Sequence, residues 1–226
     1  MIAVADHDAV RSVLDPVAET LAGRALVNLS SGTPEQARDL AEWACRYGAV
    51  HLDAAAMSGV RLVGRQEALF LYSGSAAAFT TAKDVLRSFG RAAFLGADPG
   101  VASLYDTALL GVNMSVLSGF YHALALVGSA GVSATEFAAV ATGYLPFAVG
   151  LLAEHARQVE QGRYTADEGT LEVLAAAVDH LVATSARAGV RTEVPDGLRA
   201  LIERGIAAGH GQAGPASLVE AIGADR

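Results

Sequence analysis

Asp106 is the residue that best suits acid–base chemistry in this sequence. It lies near the start of a long apolar pattern, from Val101 to about Gly128, which has no internal proline and predicts one long helix. A carboxyl group on an apolar helix has a raised pKa, which suits a general acid working near neutral pH. The helix dipole also favours an acidic residue in the first turn, so the residue type leaves both roles open.

Three further residues share the predicted helix face of Asp106. Asn113, Leu117 and Phe120 follow it by 7, 11 and 14 residues, and these spacings return to the same face. We expect them to line one cavity with Asp106.

The remaining polar candidates are weaker. Tyr105 and Tyr121 could donate a hydrogen bond to a ligand, although an aromatic residue on such a helix more often belongs to the core. His155, His180 and His210 are isolated in the sequence, and no His or Cys pair has the spacing of metal ligands. We therefore expect no metal site.

The elements that must position these residues change in character near residue 98. Before it, short apolar runs alternate with helical patterns, which predicts βαβ units and a mostly parallel sheet. The predicted strands are Ile2–Val4, Ala25–Leu29, His51–Asp53, Phe70–Gly74 and Ala93–Gly96. After Val101 the sequence has no convincing strand. We predict an α/β domain over residues 1–98 and an all-helical region over 99–226.

The turn after the second predicted strand is rich in small polar residues. Ser30, Ser31, Gly32 and Thr33 lead into a helical pattern that has Pro34 at its first position. Thr33 suits the N-cap, so helix capping explains this turn without any ligand.

Composition excludes several classes of function. The chain has 226 residues, is 52% hydrophobic and carries a net charge of −8, which argues against a nucleic-acid partner. Its apolar runs are interrupted, and no clean span of about 20 residues predicts a membrane helix. Asp6 and Asp8 come early in the sequence, and no lysine or arginine precedes them, unlike a signal peptide. The single cysteine, Cys45, excludes an internal disulfide and suits a cytoplasmic location.

Several stretches resemble the imine reductases, part of the wider β-hydroxyacid dehydrogenase-like group. In order they are VNLSSGTPEQARDLAEWA (27–44), GAVHLDAAAM (48–57), LYSGS (71–75), FLGADPGVASLYDTALLG (94–111), ARQVEQGRYTADEGTLEVLAAAVDHL (156–181), AGVRTEVP (188–195) and GHGQAGPASLVEAI (209–222). The resemblance covers nearly the whole chain. It implies a Rossmann-like parallel sheet, a long interdomain helix and a helical dimerisation domain.

The resemblance also implies roles for single residues. The aspartate of the family's LYDxA motif, here Asp106, would donate a proton to the imine nitrogen. The family often has Trp where this chain has Met114, which implies a reshaped pocket, and often has His where this chain has Ala183. The Ser30–Thr33 turn would lie near the nicotinamide of a bound cofactor.

One part of the family pattern has no counterpart at its usual place. Family members open with a strand and a G-x-G-x-x-G turn, whereas IAVADHDAV (2–10) resembles the family's fourth strand. The only G-x-G-x-x-G, Gly209–Gly214, lies in the helical region, where we expect a simple turn. We therefore expect the first three βα units, on the order of 80 residues, to be missing. On that basis we expect no cofactor, with the Ser30–Thr33 turn left as a remnant.

Three interpretations follow from the resemblance. The favoured one is a non-redox enzyme of secondary metabolism that cyclises or isomerises an imine, iminium or unsaturated intermediate. The second is an NADPH-dependent imine reductase whose N-terminal part is absent from this chain. The third is a non-catalytic subunit that pairs with a full-length imine reductase. The resemblance also implies a homodimer with intertwined helical domains, a small-molecule substrate and a cavity at the dimer interface.

Overall fold

The computed structural model describes residues 1–223, which fall into two compact units that divide between Met114 and Ser115. The first unit contains a four-stranded sheet in the order β1–β2–β3–β4. Its strands are β1 (Ala25–Asn28), β2 (Val50–Ala56), β3 (Leu69–Gly74) and β4 (Arg91–Phe94). Helices α1 (His7–Leu14), α2 (Pro34–Arg46) and α3 (Ala76–Ser88) complete the α/β part.

The strand directions follow from the connections. Helix α2 joins β1 to β2 and helix α3 joins β3 to β4, and both pairs are parallel. Residues 57–68, between β2 and β3, hold only a short 3-10 turn, Val60–Leu62, and these strands are antiparallel. A parallel pair needs a crossover of a dozen or more residues, usually a helix. The expected mostly parallel sheet is therefore corrected to a mixed sheet.

The first predicted strand, Ile2–Val4, is also corrected. Ile2 forms a single parallel bridge to Asn28, with its N–H donating to the Val27 carbonyl at 2.9 Å. The N–H of Val4 donates instead to Ser30 Oγ at 2.9 Å, so the backbone ladder stops after one step. The Ile2 side chain is nevertheless buried, within the core cluster that includes Val10.

The predicted long helix is confirmed as α4 (Val101–Ser129). It is followed by α5 (Ala134–Gln161), α6 (Leu171–Arg187), α7 (Glu193–Gly205) and the short α8 (Leu218–Ile222). A capping box of Ser133 and Glu136 starts α5, and Gly162 ends it in the left-handed conformation that glycine adopts readily. The second unit has its own small core, built around Leu171, Val178 and Ile202.

Helices α4 and α5 are unusually apolar, yet their most apolar parts are not buried within the chain. Their most apolar windows have mean hydropathies of 1.4 and 1.5, and 0% of either window is buried. By length and composition both helices could cross a membrane. The expectation that the chain has no apolar span of that length is therefore wrong. These surfaces need a cover, either a protein partner or lipid.

Candidate active site

Asp106 lines a cavity that lies within the first unit. The cavity has a volume of about 530 Å³, which falls within the range of small-molecule sites. Asn113 and the apolar side chains of Leu109 and Leu110 line it from α4. Across from them, it is lined by Ala56, Met57, Ser58 and Leu69. One carboxyl and one amide in a mostly apolar hollow suit a small ligand that carries a single polar centre.

Asp106 is partly buried, and this burial raises the pKa of its carboxyl group. The direction is the one a general acid near neutral pH requires. Helix α4 begins against the sheet, where Ala102 packs with Ala55 and Leu71. Asp106 lies one turn further along, at the edge of this contact.

A network of side chains that the sequence did not reveal holds the start of α4. Asp53, in the middle of β2, is 1% exposed. Its Oδ1 accepts a hydrogen bond from Asn28 Nδ2 at 3.0 Å, and its Oδ2 accepts one from Ser103 Oγ at 2.8 Å. Burial raises the pKa of Asp53 to about 6, against the opposing effect of these hydrogen bonds. A buried carboxyl with a raised pKa and two fixed hydrogen-bond partners is the kind of group that active sites use.

A second contact ties the same helix start to β3. Ser73 Oγ donates to the carbonyl oxygen of Pro99 at 2.8 Å and accepts from the N–H of Ala102 at 2.9 Å. The fully buried Ser73 hydroxyl therefore hydrogen-bonds to the backbone before and after Val101, the first residue of α4. Together with the Asp53–Ser103 bond, it fixes the first turn against two neighbouring strands.

The Ser30–Thr33 turn is built as a helix cap. Thr33 Oγ1 accepts from the N–H of Gln36, and the Gln36 side chain accepts from the N–H of Thr33 at 2.9 Å, which confirms the capping interpretation. Ser30 is buried, and its N–H donates to Asn28 Oδ1 at 3.1 Å. Ser31 is exposed, with Gly32 beside it. The turn follows the carboxyl end of β1, the edge where α/β sheets bind nucleotides.

The structure places the predicted pocket residues in two groups. Asp106 and Asn113 line the same cavity, as their spacing predicts. Tyr105 and Met114 are about half exposed and lie outside its lining. Leu117 belongs to the second unit, where it is partly buried.

Phe120 and Tyr121 also lie in the second unit. The Phe120 ring stacks on Phe137 of α5, with ring centroids 6.1 Å apart. Tyr121 lines another cavity, of about 460 Å³, beside His122 and Arg191. We therefore treat these two residues separately from the Asp106 cavity.

The structure explains the first and last glycines of the late G-x-G-x-x-G. A Cβ on Gly214 would lie 1.9 Å from the backbone carbonyl oxygen of Thr165, whereas the atom nearest a Cβ on Gly211 is a carboxylate oxygen at the end of the flexible Glu172 side chain. Gly209 has a φ of +95° in a tight turn. This confirms the predicted turn, and the motif is not preceded by a strand, as a dinucleotide-binding turn would be.

The family follows from comparison with known proteins. The model of the NADPH-dependent reductive aminase-like C-terminal domain matches residues 98–224. The NADPH-dependent reductive aminase of Aspergillus oryzae is 32% identical over 224 residues, which cover 97% of this chain and 76% of that protein. The chain belongs to the reductive aminase family.

Solved structures of the reductive aminase family agree with this assignment. The reductive aminase from Aspergillus terreus in complex with NADPH and ethyl-5-oxohexanoate is 38% identical, with a TM-score of 0.91. A Myxococcus stipitatus imine reductase variant in complex with NAD+ is 34% identical, with a TM-score of 0.90. The matches cover 98% and 97% of this chain and 78% of each relative. The fold predicted from the sequence is thus confirmed at the level of the α/β part and the helical region.

The expectation of no cofactor is wrong. The model of the NAD-binding domain of 6-phosphogluconate dehydrogenase matches residues 1–97 of this chain. The related structures hold NADPH and NAD+. The G-x-G-x-x-G turn and the βα units around it form only part of a nucleotide-binding domain, and residues 1–97 match the domain model without them. Ser31, which is exposed, follows the carboxyl end of β1, the edge at which α/β sheets bind dinucleotides.

Proposed function

We propose that this protein acts in the NADPH-dependent reduction of imines formed from a carbonyl compound and an amine. The observation that carries the proposal is the Asp106 cavity, with its single carboxyl, single amide and apolar walls. The names of its relatives, which are reductive aminases and imine reductases, support the same chemistry. They give no support to the non-redox interpretation that the sequence favoured.

In this mechanism, residues of the chain bind the imine and supply the proton that it needs. Leu69, Leu109 and Leu110 provide the apolar walls against which the carbon skeleton packs. Asp106 donates its proton to the imine nitrogen, or holds the charge of the iminium, as the carbon is reduced. Asn113, two turns further along the same side of the cavity, can form a hydrogen bond with a polar group of the substrate. NADPH, when bound, supplies the hydride.

The test is turnover of a ketone and an amine by the purified chain, followed by loss of NADPH absorbance and by chromatography of the amine product. Asp106→Asn keeps size and polarity but removes the proton, so we expect the rate to fall by about 10²–10⁴-fold. The matched control is Asp84→Asn on the exposed face of α3, which should leave the rate unchanged. An unchanged rate in Asp106→Asn, or no NADPH consumption by the wild type across a substrate panel, would overturn the proposal.

We also propose that a second copy of the chain covers α4 and α5. Both helices leave large apolar side chains exposed, among them Tyr144, Phe147, Val149 and Leu152 on α5. The reductive aminase and imine reductase structures share this fold over nearly the whole chain, which favours a protein partner over lipid. A homodimer in detergent-free buffer is the expected state, and light scattering measures it directly.

A further inference from the structure

A second cavity in the first unit contains three arginines. It has a volume of about 410 Å³, and its lining includes Gly64, Gly90, Gln66 and the three basic residues Arg65, Arg87 and Arg91. We call it the arginine cavity. Within the described part of the chain, none of its lining residues belongs to the Asp106 cavity, so the site of imine reduction does not account for it. Its volume falls within the range of small-molecule sites.

The three guanidinium groups of the arginine cavity have no hydrogen-bond or ion-pair partner within residues 1–223. Other arginines of this acidic chain, among them Arg11, Arg38 and Arg199, each pair with a carboxylate. Glu67 and Asp84 neighbour the cavity arginines in sequence, but among the described residues neither forms an ion pair with them. Like charges repel one another, so a cavity that gathers three of them is suited to an anion.

Two backbone hydrogen bonds join the loop before β3 to the turn before β4, and these segments carry Arg65 and Arg91. The Gly64 N–H donates to the Phe89 carbonyl at 2.8 Å, and the Arg91 N–H donates to the Ala68 carbonyl at 2.8 Å. Gly90 is buried, with a φ of +151°, and a Cβ there would lie 2.7 Å from Ala68. Only glycine permits this close approach. The arginines therefore project from a fixed backbone, which lowers the entropy cost of binding a ligand.

Helix capping does not explain Arg87. This residue lies in the last turn of α3, where a basic side chain can bond the last carbonyl groups of a helix. Two of those carbonyls already have backbone partners, because Leu86 accepts from the N–H of Phe89 and Arg87 accepts from the N–H of Gly90, both at 3.2 Å. The helix end therefore does not require the guanidinium group, which leaves it available to a ligand.

The number of arginines favours a phosphate over a carboxylate. One guanidinium fork matches both oxygens of a carboxylate, so three forks around one cavity exceed what a carboxylate accepts. A phosphate monoester offers three acceptor oxygens and carries roughly two negative charges at pH 7. A long polyanion such as a nucleic acid is opposed by the net charge of −8. A small phosphate compound is the anion that suits both the charge and the volume of the cavity.

We propose that the arginine cavity binds a small phosphate compound, whose phosphate oxygens accept hydrogen bonds from Arg65, Arg87 and Arg91. The cavity is separate from the turn after β1, where the cofactor is expected, because β2 and β3 lie between β1 and β4 in the sheet. The proposal goes beyond the reduction of imines and does not depend on it.

The experiment is isothermal titration calorimetry of the full chain with sodium pyrophosphate, at low and at physiological ionic strength. We expect saturable binding by the wild type. Arg65→Gln, Arg87→Gln and Arg91→Gln should each weaken it by about 10- to 100-fold, because each removes charge-assisted hydrogen bonds. Arg46→Gln is the matched control: Arg46 is also an exposed arginine in the last turn of a helix, but it lies outside the cavity lining. It should leave the affinity unchanged.

Further titrations identify the anion. Inorganic phosphate and glucose 6-phosphate distinguish a free ion from a phosphate ester as the ligand: the tighter of the two names the source, and either order supports the proposal provided that the cavity variants weaken it. Citrate carries several carboxylates and no phosphate, so it should bind more weakly than pyrophosphate. Citrate binding as tight as that of pyrophosphate would overturn the proposal, because the cavity would then attract any polyanion.

Two other results would overturn the proposal. One is the absence of measurable pyrophosphate binding by the wild type, or equal weakening by Arg46→Gln, which would reduce the effect to general attraction. The other is an NADPH affinity that Arg87→Gln weakens as much as the pyrophosphate affinity, which would assign the arginines to the cofactor. The cavity arginines are exposed, so their variants should fold, and circular dichroism melts check this. If one variant does not fold, the other two decide.

The two proposals can fail separately. A chain that binds pyrophosphate through the arginine cavity but consumes no NADPH would refute the proposed function alone. A chain that reduces imines but does not bind pyrophosphate would refute this inference alone.

Discussion

Arg38 and Asp98 form a bidentate ion pair that joins α2 to the turn in front of α4. Arg38 Nε lies 2.9 Å from Asp98 Oδ1, and its Nη2 lies 2.8 Å from Oδ2. Asp98 Oδ1 also accepts from the N–H of Gly100 at 2.9 Å. The same carboxylate therefore orders the turn and anchors it to the neighbouring helix.

This pair predicts a stability change in acid. Its hydrogen bond from Arg38 lowers the pKa of Asp98 to about 2, below the ordinary value of 3.8. A lowered carboxyl pKa contributes stability above pH 3.8, and that contribution is lost as the pH falls toward 2. We expect Arg38→Gln to unfold at lower temperature than wild type at pH 6, with the difference vanishing near pH 2. Thermal melts followed by circular dichroism measure it, with Arg191→Gln, a highly exposed residue, as the control.

His51 predicts a second pH range in which stability changes, at higher pH than the range predicted for Asp98. His51 is 5% exposed, neither ring nitrogen has a hydrogen-bond partner among residues 1–223, and burial lowers its pKa from 6.5 to about 4. The unfolded chain protonates below 6.5 while the folded chain does not, so stability is complete above pH 6.5 and is lost as the pH falls toward 4. The loss is at most about 3 kcal/mol. Denaturant melts of His51→Phe should lack this slope, whereas the exposed His180→Phe should retain it.

Gly214 predicts a strong steric effect. Because a Cβ would lie 1.9 Å from the Thr165 carbonyl oxygen, we expect Gly214→Ala to cost roughly 1–3 kcal/mol or more of unfolding free energy. Gly197→Ala is the matched control in α7, where a Cβ meets nothing within 4 Å. In a helix this change should stabilise the protein by roughly 0.5–1 kcal/mol. Equal unfolding free energies for the two variants would contradict the packing explanation of the late glycine motif.

A substitution at Val149 tests the proposal that a second copy of the chain covers α5. Val149 is 63% exposed, and in a homodimer a charge there would have to be buried against the second copy. We expect Val149→Asp to give the mass of one chain by light scattering at micromolar concentration, while wild type gives twice that mass. Val85→Asp on α3, where the side chain is 56% exposed, should remain dimeric. A dimeric Val149→Asp would place the interface elsewhere.

Local patterns predicted most elements of the fold correctly. The apolar run from Val101 and the capping residue Thr33 predicted helix starts that the structure confirms. The antiparallel β3 was missed because strand direction depends on how the chain crosses the sheet, which a linear pattern does not encode. Cofactor binding was wrongly predicted because the first three βα units were expected to be missing, whereas residues 1–97 match an NAD-binding domain without them.

Asp53 illustrates why the site was only partly predictable. In sequence it was an acid at the end of a short apolar run, which is typical of a strand terminus. Its partners, Asn28 and Ser103, lie 25 and 50 residues away, and only strand register and the packing of α4 bring them together. The one available signal was the placement of Asn28 and Asp53 within two neighbouring apolar strands.

The two bonds of the Ser73 hydroxyl have a consequence for how this scaffold can diversify. They lock the first turn of α4 to the sheet entirely within residues 1–114. The side chains that line the Asp106 cavity take no part in these two bonds. The anchor of the helix and the shape of the cavity are therefore encoded by different positions, so a library confined to Ala56, Met57, Leu109 and Leu110 would vary the cavity and keep the anchor.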